Sequence, residues 1–328
     1  MRPKINALVV GAGRFGINYV RILARLNDRH LPGVPRIDRL IVSRTSKSGA
    51  EAVIDRIKGR TRVSAESIIP VKVSNAEDLQ GVILAYRPGF TAIVARDPKD
   101  GDSVHSRYAD IALSCGAVLS EKPFIPATGD GASLTTLEAI VGEKHPNPLG
   151  LELPLAAVGQ QLWLLPPLRR RIENAGNIRF HWEAAVRGDV SLVDDLVLHP
   201  WSLLPPFFRF EVKQVVQTPD KADIRLLLTH RHHGRSVPCH IRLVKGGRQR
   251  WLSLDRITLS FQSHGTWLRV WQHHDRWPHR IQEVLAIDNP LEQHIVAALR
   301  RRPLIGIAQI KQSQQLLECL QGYPSQLF

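Results

Sequence analysis

A glycine-rich hexapeptide directly behind an apolar run is the feature that most constrains the fold of this chain. Residues 5–10 are mostly apolar and predict a buried β-strand, and residues 11–16 follow with the spacing G-x-G-x-x-G. Gly11 permits a tight turn, Gly13 lets a diphosphate approach the backbone, and Gly16 lets a helix pack closely on the strand. Because the motif ends a strand and opens a helix, it predicts a dinucleotide-binding turn.

A helix is expected immediately after this turn, since apolar residues recur at helical spacing over residues 17–26. The N-terminus of such a helix has free N–H groups and the positive end of the helix dipole, and both favour a diphosphate. Arg14 and Phe15 lie inside the turn and are counted among its binding residues. The Arg14 guanidinium can stack on an adenine or add to a phosphate site.

The composition predicts a folded chain of two domains. The chain has 328 residues with 43% hydrophobic residues, enough for a sizeable core. No apolar run approaches the roughly 20 residues of a membrane span. The charged N-terminus precedes an apolar run too short for a secretory signal. The three cysteines form no C-x-x-C pair, and an odd count argues against a disulfide framework. We therefore expect a soluble cytoplasmic protein with no membrane partner.

The formal net charge of +14 is compatible with nucleic-acid binding, with an anionic ligand or with a generally basic surface. The densest basic clusters are residues 169–171, 230–235 and 300–302. None lies in a nucleic-acid-binding motif, so a solvated basic surface is the preferred interpretation and a nucleic-acid partner is not expected. An anionic cofactor or small-molecule substrate would benefit from the field in either case.

Strand and helix signals alternate in the first half of the chain. Predicted strands cover residues 5–10, 37–42 and 117–119, and predicted helices cover 17–26, 50–57 and 105–115. The short apolar runs 81–85 and 91–95 are expected to be two strands, or one strand with its lead-in. Such alternation predicts a doubly wound parallel sheet, a Rossmann domain. We place this domain at residues 1–123.

The second half has successive strand signals without intervening helices. Residues 178–186 alternate between apolar and polar types, and further strands are predicted at 224–229, 239–244, 251–254, 257–261 and 267–271. Helices are predicted at 291–299 and 308–320. The pattern predicts an α+β domain with a mostly antiparallel open sheet at residues 124–328.

The end of the second strand indicates which dinucleotide would bind. An acidic residue there would accept hydrogen bonds from the adenosine ribose and repel a 2′-phosphate. This chain has the basic and hydroxyl-rich segment 43–47 (SRTSK) instead. Ser43, Arg44 and Thr45 therefore predict NADP, with NAD the less favoured cofactor.

A second motif, Glu121-Lys122-Pro123, follows the predicted strand at residues 117–119. Ligands of doubly wound sheets bind at the carboxyl ends of the strands. We therefore expect the Lys122 ammonium to lie near a bound nicotinamide, and the proline to fix the turn, with a cis bond as one option.

Together, the two motifs resemble the glucose–fructose oxidoreductase, inositol dehydrogenase and MocA-type family. The segment from Asp97 through His105 to residue 116 is similar to the family's strand–loop–helix unit, with a few extra residues at 99–102. The resemblance implies that Lys122 contacts cofactor ribose and substrate and that Glu121 lies beside the nicotinamide ribose. It also adds Asp97 and His105 to the cofactor-binding residues.

A third motif, Asp195 to His199, resembles the family's D-x-G-x-H substrate segment. Asp195 and His199 are four residues, about one helical turn, apart and therefore share a helix face. Histidine titrates near neutral pH and suits proton transfer, and a neighbouring carboxylate can orient it. Val197 stands where the family commonly has glycine, and residues 190–194 replace a glycine-rich lead-in.

These motifs predict an NADP-dependent oxidoreductase acting on the hydroxyl or carbonyl carbon of a sugar, polyol or related compound, the substrate class resting on the resemblance. Lys122, His199 and Asp195 are the predicted catalytic residues. Two alternatives stay open: an imine reductase of siderophore or opine-like synthesis, and a non-catalytic NADP-sensing regulator.

The remaining histidines predict no metal site, because they lack carboxylate or cysteine partners at ligand spacing. Four tryptophans fall in the predicted antiparallel sheet, at positions 251, 267, 271 and 277. They predict either a core layer or an apolar sheet face that a second copy covers. The resemblance favours a homo-oligomer, a dimer or tetramer, formed through the C-terminal sheet.

Overall fold

The computed structural model describes residues 2–59, 67–96, 104–142, 145–186, 190–274 and 277–323. The predicted cofactor residue Asp97 and the extra residues 99–102 lie outside these ranges. The described residues form two compact units. One comprises Met1–Pro126, Ser133–Glu152 and Leu291–Lys311, and the other comprises Ala127–Ala132, Leu153–Pro290 and Gln312–Phe328. Both units are discontinuous, and the division into domains at residue 123 stays a prediction.

The first unit contains a six-stranded parallel sheet. Its strands are β1 (Lys4–Val10), β2 (Arg36–Arg44), β3 (Ser67–Lys72), β4 (Phe90–Ile93), β5 (Ala117–Ser120) and β6 (Leu149–Leu151). They lie in the order β3-β2-β1-β4-β5-β6, and every pairing is parallel. The strand order reverses between β1 and β4, which opens the crevice where doubly wound sheets bind ligands. The predicted Rossmann fold is confirmed.

Helices follow the strands of this sheet. They are α1 (Gly16–Arg25), α2 (Lys47–Lys58), α3 (Ala76–Tyr86), α4 (Val104–Leu113) and α5 (Ala132–Val141). Helices α1, α2 and α4 confirm the predictions at residues 17–26, 50–57 and 105–115. Of the two interpretations of residues 81–85, a separate strand is wrong because these residues belong to α3, the helix that leads into β4. Asn75 caps α3 by accepting from the Asp78 N–H, and only Leu79 and Ile83, one turn apart, are fully buried.

The second unit contains an eight-stranded sheet. Its strands are β7 (Ile178–Ala184), β8 (Phe208–Gln217), β9 (Lys221–His230), β10 (Ser236–Lys245), β11 (Arg250–Leu254), β12 (Ile257–His264), β13 (Trp267–His274) and β14 (Trp277–Asp288). Their order is β14-β13-β12-β11-β7-β10-β9-β8. All pairings are antiparallel except that of β7 with β10. The mostly antiparallel sheet is confirmed.

Strand β7 lies inside the sheet, between β11 and β10, and alternate side chains at its start are buried. Ile178, Phe180 and Trp182 are at most 2% exposed, while Arg179 between them is exposed. Four helices belong to the same unit: α6 (Pro154–Leu164), α7 (Pro166–Asn174), α8 (Leu192–Leu196) and α9 (Leu198–Trp201). The chain continues with α10 (Pro290–Leu299) and α11 (Ile307–Gln321), which confirms both predicted closing helices. Residues Ile295, Ala298 and Leu299 join the core formed by β1 and α1.

Replacing Gly16 with alanine should destabilise the first unit, because the new Cβ would lie 2.4 Å from the backbone oxygen of Gly11. We expect a loss of about 1–3 kcal/mol in the free energy of unfolding, measured by urea denaturation. The matched control is Gly81→Ala, in α3, where no atom lies within 4 Å of the added Cβ. That change should instead add up to about 1 kcal/mol, and equal losses in the two variants would contradict the close contact.

Candidate functional site

The glycine turn is held by close backbone contacts at the centre of the first sheet. Gly11 has a φ of +86°, a conformation that favours glycine. A Cβ at Gly11 would lie 2.3 Å from the Cα of Ala95, in the segment that follows β4. The N–H of Ala12 donates to the carbonyl of Ser43 at 2.9 Å. The turn is therefore fixed against the ends of both β2 and β4.

The N-terminus of α1 opens onto free space. A Cβ at Gly13 would meet nothing closer than 3.9 Å, unlike the same atom at Gly11 or Gly16. Within the described part of the chain, no side chain caps the first turn of α1, so its N–H groups are not satisfied in that way. Arg14 is exposed, and Phe15 is 45% exposed. Open space beside uncapped N–H groups fits a diphosphate.

The basic segment at the end of β2 divides into a buried and an exposed part. Ser43 is fully buried, and its Oγ has no hydrogen-bond partner among the residues the structure describes. Arg44 and Thr45 are exposed. Ser46 caps α2 by accepting from the Gly49 N–H at 3.1 Å, and the Cβ position of Gly49 lies 3.8 Å from the Arg44 Nε. The Arg44 guanidinium thus lies near the start of α2, where the helix dipole also favours an anion.

The Glu-Lys-Pro turn continues the parallel ladder beyond β5. The N–H of Glu121 donates to the backbone carbonyl of Ile93 at 2.9 Å, and the N–H of Glu152 donates to the backbone carbonyl of Ser120 at 2.7 Å. The bond between Lys122 and Pro123 is cis, the option that the sequence left open. Lys122 therefore follows the carboxyl end of β5, as predicted.

The buried His105 ring contacts the backbone of this turn. The ring is 2% exposed, its Nδ1 lies 2.8 Å from the carbonyl oxygen of Pro123, and its Nε2 lies 2.8 Å from that of Ala95. These carbonyls follow β5 and β4, so the imidazole links the two loops that border the crevice. His105, predicted to bind the cofactor, is placed to shape the site through the backbone of its neighbours.

A buried polar cluster lies beside Lys122. The Tyr19 hydroxyl of α1 donates to the Glu121 Oε1 at 2.8 Å. Glu152, directly after β6, is 1% exposed. Burial, the neighbouring Glu121 charge and a hydrogen bond to Glu121 raise the pKa of Glu152 well above its usual range, while Lys122 lowers it. Burial and the two carboxyl groups likewise raise the pKa of Tyr19. Sequence reasoning did not identify Tyr19 or Glu152.

The third motif lies in the second unit. Asp195 in α8 is 6% exposed, and His199 lies in α9. Val197 between the two short helices keeps a helical backbone, with φ −61° and ψ −33°, so Asp195 and His199 are about one turn apart. The His199 imidazole stacks on the Trp182 indole, with ring centroids 6.1 Å apart and planes 17° apart. The Lys122 side chain belongs to the other unit, and its convergence with His199 stays a prediction.

The Trp182 indole also contacts a cationic side chain, that of Arg250. The Arg250 guanidinium lies 5.3 Å from its ring centroid, and burial lowers the pKa of Arg250. Cation–π attraction adds to packing in fixing the indole plane. Because Trp182 is 2% exposed, it offers His199 a rigid surface that sets the imidazole orientation.

Histidines also cluster at the end of β9. His230 is 4% exposed and accepts from the His232 N–H at 3.2 Å, and it stacks on His233 with centroids 4.4 Å apart. Burial, and then repulsion from the neighbouring His233 and His232, lower the pKa of His230. Among the described residues, no group of three or more histidine, cysteine or acidic side chains is arranged to hold a metal ion. In that same set, no helix has the length and apolar character needed to cross a membrane.

Comparison with known proteins shows what this fold resembles. No family model matches the chain, and no curated protein is significantly similar to it. Solved structures do match over nearly the whole chain. An oxidoreductase domain protein from Kribbella flavida shares 12% identity with a TM-score of 0.65, covering 98% of this chain and 96% of its own. An NAD-binding oxidoreductase from Klebsiella pneumoniae shares 13% with a TM-score of 0.62, covering 97% and 96%.

A levoglucosan dehydrogenase in complex with NADH is a third similar structure. It shares 11% identity with this chain, has a TM-score of 0.67, and the match covers 97% of this chain and 96% of that one. At such low identity the likeness concerns the fold. This chain therefore has the same arrangement of a Rossmann-type parallel sheet followed by a mostly antiparallel sheet.

Replacing Gly13 with alanine should separate ligand binding from folding. The added methyl group meets no protein atom closer than 3.9 Å, so the thermal midpoint should change little. The methyl would occupy the space that a diphosphate needs, so the affinity for a nicotinamide dinucleotide, NADH or NADPH, should fall at least tenfold, by about 1.4 kcal/mol or more. Fluorescence titration with both dinucleotides measures the affinity, and undiminished binding of both by Gly13→Ala would contradict this location.

Proposed function

We propose that the protein is an NADP-dependent oxidoreductase, similar to the glucose–fructose oxidoreductase, inositol dehydrogenase and MocA-type enzymes. It would transfer a hydride between nicotinamide and the hydroxyl or carbonyl carbon of a sugar, polyol or related small molecule. The observation that carries the proposal is the pairing of an open, uncapped α1 N-terminus with Lys122 at the carboxyl end of β5. The substrate class rests on the resemblance, and a sugar-binding neighbour of the same fold is consistent with it.

The residues of the first unit fit a dinucleotide in three places. The N–H of Gly13 donates to the carbonyl of Gly11 at 2.7 Å, so the N–H groups of residues 14–16 that follow it would bind the diphosphate, and the Phe15 ring would pack beside it. Arg44, with Thr45 next to it, would bind a 2′-phosphate through charge-assisted hydrogen bonds. The buried hydroxyl of Ser43 lies behind these groups, so its part is to hold the turn through its carbonyl oxygen.

The NADP preference rests on charge. The segment 43–47 contains two cationic and three hydroxyl side chains and no carboxylate. A 2′-phosphate would meet the Arg44 guanidinium and the N-terminus of α2 together, whereas a bare ribose would leave the guanidinium without an anion. The alternative cofactor is NAD, whose reduced form is bound in one structure of similar fold. Comparing NADPH and NADH binding by the Arg44→Asp variant distinguishes the two.

The side chains of this chain supply the acid–base chemistry. A bound nicotinamide would supply or accept the hydride. The Lys122 ammonium would stabilise negative charge that develops on the substrate oxygen. His199 would donate or accept the hydroxyl proton, and Asp195 would orient the imidazole. Trp182 would keep the imidazole plane fixed by stacking, so that the ring nitrogens keep a constant orientation during proton transfer in either direction.

We also propose a homo-oligomer formed through the C-terminal sheet. Trp267 of β13 is 44% exposed and Ile281 of β14 is 55% exposed, and large apolar side chains at an outer strand pair are typical of surfaces that a second copy covers. The sequence-based expectations of a cytoplasmic location and of a small, anionic substrate are part of the same proposal.

Substituting Arg44→Asp should reverse the cofactor preference. Loss of a charged hydrogen bond and the new repulsion should weaken NADPH binding by about 2–3 kcal/mol, roughly thirty- to a hundredfold, while NADH binding is retained or improved. The control Arg56→Asp makes the same charge change at an exposed position of α2. Fluorescence titration with both dinucleotides gives the ratio, and an equal ratio in wild type and Arg44→Asp would contradict the NADP assignment.

Substituting Lys122→Ala should remove turnover while NADPH still binds. Loss of the group that stabilises the developing charge should lower kcat by at least about a hundredfold, with the dissociation constant for NADPH nearly unchanged. Exposed Lys58 on α2 provides the control, Lys58→Ala. NADPH oxidation against a panel of carbonyl compounds measures the effect. Undiminished turnover by Lys122→Ala would rule out this role.

A further inference from the structure

We propose that Glu121 and Glu152 share one proton, with the negative charge on Glu121, and that this pair positions the Lys122 ammonium. The Lys122 role rests on the proposed function, whereas the shared proton does not. Three parts of the first unit bring the groups together: Tyr19 belongs to α1, Glu121 and Lys122 belong to the turn after β5, and Glu152 comes directly after β6.

The shared proton follows from the placement of the two carboxyl groups. Glu121 and Glu152 come directly after Ser120 and Leu151, which are paired in the ladder between β5 and β6, and Glu152 is buried. Two neighbouring carboxylates without a proton can only accept hydrogen bonds and cannot bond to each other. One of the pair must therefore be a neutral acid. Like charges at such a short separation in a buried site would otherwise repel strongly.

The environment of each carboxyl group decides which one holds the proton. Glu121 accepts from the Tyr19 hydroxyl at 2.8 Å, and such a donor stabilises the ionised form. Glu152 is 1% exposed, and its Oε1 has no hydrogen-bond partner in the described part of the chain. An unpartnered buried oxygen is far less costly on a neutral acid than on a carboxylate. The proton therefore belongs to Glu152, which donates to Glu121.

The charge count then explains the effect on Lys122. The groups that face one another are Tyr19, Glu121, Lys122 and Glu152, and His105 of α4 contacts the same turn through the Pro123 carbonyl. With Glu152 neutral, one carboxylate lies near one ammonium, and the cluster is balanced. A second carboxylate would attract the ammonium toward the protein interior and weaken its interaction with a substrate oxygen. Glu152 is therefore a positioning residue that acts through Lys122.

Two chemically identical substitutions test this assignment on the unliganded protein. Lysine acylation by trace acetic anhydride at pH 8, followed by mass spectrometry, reports how readily each amine loses its proton. Glu121→Gln removes the negative charge and should raise the labelling rate of Lys122 severalfold, because loss of a nearby anion favours the neutral amine. Glu152→Gln replaces a neutral acid by a neutral amide and should leave that rate unchanged. Labelling of exposed Lys58 in the same samples is the internal control.

If the two glutamates had only a structural role, Glu121→Gln and Glu152→Gln would change the labelling rate of Lys122 equally. If both glutamates were ionised, each substitution would accelerate that labelling. Either result would overturn the proposal. Carbon-13 NMR of glutamate-labelled wild type provides a measurement that needs no variant to fold. One side-chain carboxyl should stay protonated at pH 7, and Glu152→Gln should remove its signal. Only ionised carboxyl signals at pH 7 would overturn the shared proton, whether or not the protein turns over any substrate.

Stability against pH gives an independent readout with a defined sign. An unfolded glutamate loses its proton near pH 4.3, whereas folded Glu152, with its raised pKa, retains it. The wild type should therefore lose stability as the pH rises from about 5 to about 8, because the unfolded state binds fewer protons there. Glu152→Gln removes this contribution, so its stability relative to wild type should rise over the same range. A constant difference would contradict the proton on Glu152.

Discussion

The close approach of Gly11 to Ala95 is the constraint on which the rest of the first unit depends. It brings the turn after β1 against the segment after β4, at the point where the strand order reverses. No side chain fits between the two backbones, so the start of α1 and the loops after β4 and β5 have fixed relative positions. The open surface at Gly13, the Glu-Lys-Pro turn and the His105 hydrogen bonds all depend on this contact.

Burial of charge is the second constraint. A fully exposed glutamate at position 152 would cost nothing, but a buried one requires either a cation or a proton. Lys122, Glu121 and Tyr19 interact with it, and the proton that we propose on Glu152 would complete the charge balance. The same group of side chains that satisfies a folding requirement therefore also determines where the ammonium of the proposed active site can lie.

The sequence predicted the parts of the fold that depend on local patterns. The glycine spacing predicted the turn and α1, and alternation along β7 predicted a strand with one buried face. The prediction failed for residues 81–85, where an apolar run inside α3 has too few residues to distinguish strand from helix. Strand β3 was missed because Pro70 interrupts its apolar run, and proline is tolerated there since β3 is an edge strand.

The site could be predicted only where a motif carries it. Arg44 ends β2 and Lys122 comes shortly after β5. The carboxyl ends of these parallel strands lie at the same edge of the sheet, so the placement of both residues could be inferred from the fold class. Glu152 belongs to no motif, follows a strand of three residues, and contacts residues that are far away in sequence. The hydrogen bond between Tyr19 and Glu121 spans 102 positions. Such contacts depend on the assembled sheet, and no local pattern encodes them.

The central claim is that a dinucleotide binds with its diphosphate at the N-terminus of α1. A crystal structure of the protein grown with NADPH tests it most directly. We expect diphosphate density beside Gly13, the 2′-phosphate against Arg44, and the nicotinamide near Lys122. Density for the diphosphate at any other place on the molecule, or crystals in which saturating NADPH leaves this turn empty, would contradict the proposed binding site.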